Sequence, residues 1–342
     1  DLQLFYRNSR SVALTPAGTV FFKKCPKILD EYRGSVVAAR LAQEGYRGSL
    51  TLGIMRDTFE PKLPTLYQRF RTAYPHVSLL IRGYSHSSLL SALERGEVDV
   101  KDLCACIVAT VTPDCSAPTS ACLLQQRLGL PEDIPCFDMN VGCTGFIYAL
   151  QVARGFLLQS NRPYALVIGA EALSHITDFT DRGTCVLFGD GAGAAVVTLE
   201  EDSLYACTLG ARGDAEAIFI EGPGPERPYI HMDGQKVFRF AVEAVPHCIH
   251  TLLEEAGLGL EDIDWFVPHQ ANKRIIDHVA KKLKVPNEKF YQNMMRYGNT
   301  SAASIPIALD EMAEQGLLKR GQKILCVGFG AGLTWGGALL EW

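Results

Sequence analysis

Residues 101–342 read as an α/β protein in which one strand, loop and helix pattern occurs twice, giving a duplicated sheet with helices on both faces. Three observations predict it. Apolar runs such as YALVIGAE (164–171) alternate with segments of helical periodicity, and strands apolar throughout belong to sheets covered on both sides. Loops rich in glycine and small polar residues follow the strands, where α/β sheets gather reactive groups. The order of elements over 106–160 also recurs in the second half of the chain.

In the first hundred residues, Leu4 to Tyr6 and Ser11 to Leu14 are strand-like, and Arg7, Asn8, Ser9 and Arg10 join them as the tip of a basic hairpin. Thr15 followed by Pro16 is a helix start, with a capping hydroxyl and then proline at the first helical position. Val20, Phe21, Ile28, Leu29, Val36, Val37 and Leu41 form the apolar stripe of a long helix bent near Pro26. SLTLGI (49–54) and VSLLIRG (77–83) read as strands, and residues 64–73 and 88–95 as helices.

Beyond residue 100, CIVATVTPD (106–114) is a buried strand running into a loop, and a helix starts near Pro118. Phe137 to Asn140 is a short apolar run, and Gly142 permits a tight turn. From Cys143 onward Phe146, Ile147, Leu150 and Ala153 recur at helical spacing, which sets Cys143 in the first turn of a helix. CVLFGDGAGAAVVTL (185–199) continues past its glycines as a strand, so its GxGxG run does not open a helix as a dinucleotide fingerprint would. Residues 237–258 read as a helix, 262–272 as a strand ending in a polar loop, 273–283 as a helix and 298–318 as a glycine-led helix. Residues 323–342 read as a strand pair around a glycine loop.

Composition narrows the function classes. The first hundred residues carry a net charge of +5 and the remainder −10, which points to two parts with different partners. The 11 cysteines are odd in number and scattered, without a CxxC pair or a cysteine–histidine cluster, so neither a disulfide framework nor a zinc site is expected. A reducing, cytoplasmic setting fits them. No apolar run reaches the length of a membrane span, and no signal-peptide pattern opens the chain. A start at Asp1 suggests a natural chain beginning further upstream.

The candidate chemistry rests on Cys143, His269 and Asn299. A cysteine at a helix start faces unpaired N–H groups and the positive end of the helix dipole, which favour a nucleophilic thiolate. His269 ends the apolar run DIDWFVP, and Asn299 follows Gly298 at the opening of the next expected helix. Taken singly, each has a structural reading: a small buried cysteine, a hydrogen-bonding histidine, a turn asparagine. All three fall at loop positions where a sheet of this class builds a shared site.

The strings IVATVTPD, FDMNVGCTGFIYAL, DRGTCVLFGDGAGAAVV, HMDGQKVF, DIDWFVPHQANKRII, YGNTSAASIPIALDE and GFGAGLTWG cover almost all of residues 101–342. In this order they resemble the β-ketoacyl-[acyl-carrier-protein] synthase III family of thiolase-fold condensing enzymes. The resemblance implies a thiolase-like duplicated sheet, with its first half over 101–200 and its second over 201–342. It implies Cys143, His269 and Asn299 as catalytic residues: Cys143 takes the acyl group of acetyl-CoA or another short acyl-CoA, and malonyl-acyl carrier protein then loses CO2 and attacks it. It further implies an oxyanion hole from the backbone N–H groups of Cys143 and Ala331, Phe188 beside the acyl pocket, and Arg182 on the CoA adenine. Arg239, Arg274, Lys281 and Lys282 would receive the acidic carrier protein. No metal or redox cofactor is implied, and a homodimer is expected. The family has a further stretch before IVATVTPD, so the first half is expected to be incomplete, with an unpaired strand edge.

Residues 1–100 follow the order LFxRxxRxVxLTxAG, a long helix, GxLxLGI, LPxLxxxFxxxYPxVxLxIxxG and LxxGExD. This resembles the LysR-type transcriptional regulators. It implies a winged-helix remnant whose wing hairpin is 1–15, a linker helix over 16–45 and a partial α/β effector lobe over 46–100. Arg7 and Arg10 would then touch DNA phosphates, a weak, salt-sensitive contact that carries no sequence information by itself. Two function classes stand side by side: a condensing acyltransferase and a DNA-binding regulator fragment. A fusion that performs neither task is the third.

Overall fold

The structure is a computed structural model that describes residues 2–7, 12–22, 25, 48–55, 77–84, 98–200, 203–222 and 229–342. The chain divides into two compact units, Asp1–Ser88 and Leu89–Trp342.

In the first unit β1 (Phe5–Arg7) and β2 (Val12–Leu14) pair antiparallel, Phe5 opposite Leu14 and Arg7 opposite Val12. Thr15 turns this hairpin into a helix: its Oγ1 accepts the Gly18 N–H at 2.9 Å, and residues 16–22 are helical. β3 (Gly48–Met55) and β4 (Val77–Tyr84) run parallel, with Gly48 beside Val77. Arg7 is the last residue of β1. Arg10, residues 26–45 of the expected linker helix and the helices expected over 64–73 and 88–95 lie outside the described residues.

The second unit contains two four-stranded sheets. In the first, β5 (Leu103–Ala109), β6 (Cys136–Met139), β7 (Tyr164–Glu171) and β8 (Gly191–Thr198) stand in the order β6-β5-β7-β8. In the second, β9 (Tyr205–Asp214), β12 (Trp265–Pro268), β13 (Lys323–Gly330) and β14 (Gly332–Glu341) stand in the order β12-β13-β14-β9. A small separate pair joins β10 (Ile218–Ile220) to β11 (Ile230–Met232). Strand directions repeat: β5 is parallel to β7 and β7 antiparallel to β8, as β12 is parallel to β13 and β13 antiparallel to β14. The duplication read from the sequence is therefore present in the topology.

Alternation along the strands decides the layers. Ala105, Ile107 and Ala109 of β5 face a middle core with α2 (Gly145–Leu157) and α6 (Ser304–Glu314), into which Val267, Ile324, Cys326 and Ala338 of the second sheet also point. Leu103, Cys106 and Val108 face the other way, onto α1 (Ser120–Leu128). Phe266, Leu325, Val327 and Leu339 turn outward from the second sheet onto α3 (Gly234–Ala256) and α4 (Lys273–Leu283). The result is five layers, with two helices buried between two sheets. Burying a side chain the size of Phe146 or Ile147, both in this middle layer, stabilises the fold by roughly 1.5–3 kcal/mol.

The two halves differ at one edge. β14 pairs with β9 on the side away from β13, whereas among the described residues β8 pairs with β7 alone. The side chains of β8 are accordingly half-buried to exposed, while most of β14 is buried.

Three element boundaries depart from the expected ones. The strand expected from Cys106 begins at Leu103, and the strand expected over AAVVTL (194–199) begins at Gly191, within the glycine run. The helix expected over 298–318 is interrupted: Gly298 has φ +72° and Ser301 φ +47°, left-handed values that an α-helix cannot contain, so the helix proper starts at Ser304. A short turn, α5 (Met294–Tyr297), precedes it.

The middle layer is close-packed where β7 crosses the turn at residues 301–303. A Cβ on Gly169 would collide with the Ala302 carbonyl oxygen. Overpacking of this kind costs roughly 1–3 kcal/mol, so Gly169→Ala is expected to lose stability by that amount in urea unfolding monitored by circular dichroism.

Candidate active site

Cys143 stands in the tight turn Gly142–Thr144 that leads from β6 into α2. Gly142 has φ +54°, which lets the chain reverse there. The β13–β14 hairpin lies directly against the cysteine: a Cβ on Gly330 would come within 2.9 Å of both the Cys143 backbone N and its Cβ. Ala331, next in that hairpin, lines the same cavity as Cys143.

His269 follows the last residue of β12. Its N–H donates to Val327 O at 2.8 Å, which continues the sheet by one bond and fixes the histidine at its end. The ring is buried at 1% exposure, and its Nδ1 lies 2.7 Å from Ser304 Oγ at the start of α6. Ser304 Oγ also accepts the Gln270 N–H at 3.4 Å, and its own proton is free to be donated to Nδ1, an arrangement compatible with a ring proton on Nε2. Desolvation pushes His269 down to about 3, which keeps the imidazole neutral. Gln270 stiffens the loop by donating to Pro268 O at 2.7 Å and accepting Asn293 N–H at 2.9 Å.

Asn299 is held by its own backbone. Its N–H donates to Leu187 O at 2.8 Å and its carbonyl accepts Gly189 N–H at 2.9 Å, a bridge that ties it to the Phe188 segment. Its side-chain Oδ1 accepts the Ser301 N–H at 2.9 Å. What remains for a ligand is the Nδ2 donor.

Cys143, His269 and Asn299 line one cavity of about 310 Å3, together with Ser301, Phe188, Phe329 and Ala331. Val111, Leu173, Leu187, Ile218 and Ile220 add apolar wall. The cavity thus combines a thiol, two neutral hydrogen-bond donors and a greasy channel, a set that suits acyl-group chemistry.

The helix-start position of Cys143 favours a thiolate, whereas burial pushes its thiol up to about 12. Desolvation of the anion is the largest influence, the nearby Glu171 carboxylate adds repulsion, and the Ser301 side chain and the backbone N–H of Cys143 act the other way.

The remaining candidates are spread more widely. Phe188 lines the cavity, and Arg182 is exposed beside Gly183, which also lines it. Arg239 is exposed on α3, and Arg274, Lys281 and Lys282 are exposed on α4. These helices pack together, with Lys282 Nζ donating to Val242 O at 2.9 Å. Among the described residues no group of His, Cys, Asp and Glu is arranged to hold a metal ion, and no helix is long and apolar enough to cross a membrane.

Sequence reasoning did not single out Ser301, Ser304 or Glu171. The two serines were hidden in the small-residue string SAAS. Glu171 carried a visible signal, as a lone acid closing the otherwise apolar strand YALVIGAE.

Comparison with known proteins agrees with this geometry. Residues 137–213 match the family described as 3-Oxoacyl-[acyl-carrier-protein (ACP)] synthase III, and residues 253–342 match its C-terminal family. The beta-ketoacyl-[acyl-carrier-protein] synthase III of Clostridium novyi (strain NT) is 49% identical over 273 residues, covering 75% of this chain and 84% of the relative. Among solved structures, the 3-oxoacyl-[acyl-carrier-protein] synthase III of Aquifex aeolicus VF5 is 44% identical with a TM-score of 0.69, covering 73% of this chain and 81% of its own. The synthase III of Thermus thermophilus is 42% identical with a TM-score of 0.70, covering 74% and 82%. With relatives this similar matched over four-fifths of their length, and with a thiol, an imidazole and a carboxamide on one cavity wall, the chain belongs to the β-ketoacyl-[acyl-carrier-protein] synthase III family of condensing acyltransferases.

Proposed function

We propose that Cys143, His269 and Asn299 carry out a decarboxylative condensation of a short acyl-CoA, such as acetyl-CoA, with malonyl-acyl carrier protein, giving a 3-oxoacyl-acyl carrier protein. The observation that carries this reading is that the three side chains share one cavity while the second polar atoms of His269 and Asn299 are already engaged, with Ser304 and Ser301.

In the first half-reaction Cys143 Sγ attacks the thioester carbonyl, and the backbone N–H groups of Cys143 and Ala331 stabilise the developing oxyanion. CoA leaves, and the acyl chain lies along the apolar wall near Phe188. In the second, malonyl carried on the acyl carrier protein loses CO2, and the negative charge moves onto its thioester oxygen. Two neutral donors, His269 Nε2–H and Asn299 Nδ2–H, receive that charge. A neutral imidazole suits the step, because an acid that gave up its proton fully would quench the carbanion. The carbanion then attacks the acyl group on Cys143 and releases the sulfur. Desolvation in a small apolar cavity strengthens each of these interactions.

Phe188 at the acyl pocket, Arg182 at the CoA adenine and the cationic surface of Arg239, Arg274, Lys281 and Lys282 complete the assignment. That surface belongs to the part of the chain whose net charge is −10, so it forms a local positive region for an acidic carrier. Homodimer assembly rests on the family resemblance. The division into a wing hairpin (1–15), linker helix (16–45), effector-type lobe (46–100) and two synthase halves (101–200 and 201–342) is retained as the proposed domain plan. A LysR-type origin of residues 1–100, with phosphate contact by Arg7 and Arg10, is a separate proposal supported by the β1–β2 hairpin and the Thr15 cap.

Incubation with acetyl-CoA followed by mass spectrometry should yield an acyl adduct that Cys143→Ala lacks; absence of the adduct in the unaltered protein would sink this reading. His269→Ala and Asn299→Ala are expected to retain acylation and to lose malonyl decarboxylation by on the order of 100-fold or more each, measured as CO2 release. Because His269 titrates at about 3, CO2 release should show no inflection from it between pH 5 and 8, whereas an inflection near 6.5 would mean that the imidazole is solvated in the working enzyme. Lys281→Glu with Lys282→Glu should raise KM for the malonyl carrier at low salt, with little change in kcat and a smaller effect at high salt.

A further inference from the structure

The turn that carries Cys143 is tied to the β13–β14 hairpin, which carries Ala331, by a pair of buried threonine hydroxyls. Thr144, in the turn Gly142–Thr144, has its Oγ1 2.9 Å from Thr334 Oγ1 in β14. Thr144 Oγ1 also lies 2.8 Å from Val141 O, and Thr334 Oγ1 3.0 Å from Ala331 O. The hydroxyls have one proton each to share among these contacts. An oxygen pair this close attracts only with a proton between its members, so one proton serves the Thr144–Thr334 bond and the other goes to one of the two carbonyls. In either arrangement the bond between the threonines is kept, and it spans 190 residues of chain, from the first half of the fold to the second. Among the described residues, no backbone carbonyl accepts the Cys143 N–H or the Ala331 N–H, which leaves both donors for a ligand in the cavity that the two residues line. The segments approach closely there: a Cβ on Gly142 would lie 3.4 Å from Ala331 N, and one on Gly330 2.9 Å from Cys143 N.

We propose that Thr144 and Thr334 are positioning residues that set the spacing of the oxyanion hole: their hydroxyl bond holds the Cys143 and Ala331 N–H groups at a separation that one thioester oxygen can bridge. The inference rests on the reading above, in which Cys143 is the nucleophile and these two N–H groups receive the oxyanion. Donors from different halves of the chain act together only if both stand about 2.7–3.1 Å from the oxygen on which charge develops. Donors already in place cost no rearrangement at the moment of reaction, which is where their advantage over water lies. Gly142 and Gly330 let the two segments meet, but a glycine contact has no direction. A hydroxyl bond fixes both distance and angle. Neither threonine lines the cavity, so both act through the backbone they tie and not on the substrate.

Acylation by acetyl-CoA passes through an oxyanion, whereas alkylation of the same thiol by iodoacetamide displaces iodide from a saturated carbon and does not. Rates of both, read by rapid-quench mass spectrometry at the Cys143 peptide of the whole chain, separate the hole from the thiol. Thr144→Val and Thr334→Val keep the shape of the side chain and remove the hydroxyl. Each is expected to slow acylation on the order of 10- to 100-fold at saturating acetyl-CoA, with the half-saturating concentration little changed, because the oxyanion is absent from the ground state. Alkylation should keep nearly the unaltered rate. The double variant should be no slower than the slower single one, since both remove the same bond. Thr144→Ser and Thr334→Ser retain the hydroxyl and should recover most of the acylation rate. Equal slowing of acylation and alkylation, whether from misfolding or from a displaced thiol, overturns the proposal, as does undiminished acylation in either valine variant. An unaltered protein that is alkylated at Cys143 but never acylated there would overturn the assignment of the nucleophile and this inference with it, so the two failures are told apart.

Discussion

Two helix starts meet in the middle layer of the fold, and the remainder of the site is arranged around that meeting. α2 begins at Gly145 and α6 at Ser304, and the turns that precede them touch: a Cβ on Gly145 would lie 2.8 Å from the Ala109 Cβ and 3.2 Å from the Ala302 Cβ. Only small residues permit this, which explains the string of glycine, alanine and serine at both places. A helix start exposes N–H groups and the positive end of its dipole, so two such ends focused on one cavity favour electron-rich oxygen and sulfur. Each half of the duplicated sheet contributes one start, and for this reason the cavity lies between the halves.

Burial sets the protonation states. In water a cysteine beside a helix start would lean toward thiolate and a histidine would be partly charged. Lining the cavity, Cys143 is driven up to about 12, and the buried His269 down to about 3, which favours the neutral form of both. Neutrality suits a condensing enzyme whose intermediates are a thioester and a carbanion, because free protons or bare charges would divert either one.

The two sheets share directions of pairing but not the treatment of their edges. β14 is flanked by β13 and β9, and the buried face of the second sheet is correspondingly complete. β8, its counterpart, is paired on one side among the described residues and leaves its side chains half-buried. The Phe188 segment that enters β8 nevertheless bonds Asn299 on both its backbone groups, so the catalytic-side end of the strand is anchored from the other half of the fold. Local hydrogen bonds at the site therefore do not depend on the outer edge of the sheet.

From residues alone, the apolar strands, the glycine-led loops and the positions of Cys143, His269 and Asn299 at loop starts were legible, because each follows from a short-range pattern: strand alternation, turn chemistry or helical spacing. The interruption of the expected 298–318 helix was not, since the left-handed backbone at Gly298 and Ser301 occurs in a turn whose next residues, Ala302 and Ala303, pack against the distant Gly169. Nor was the neutral thiol of Cys143, because the sequence shows the helix start and not the desolvation that overrides it. His269 Nδ1 pairs with Ser304, 35 residues away, and the Glu171 carboxylate accepts the Ala302 N–H across 131 residues of chain. Local order is written in neighbouring side chains, whereas dielectric and protonation depend on which distant groups the fold brings into contact.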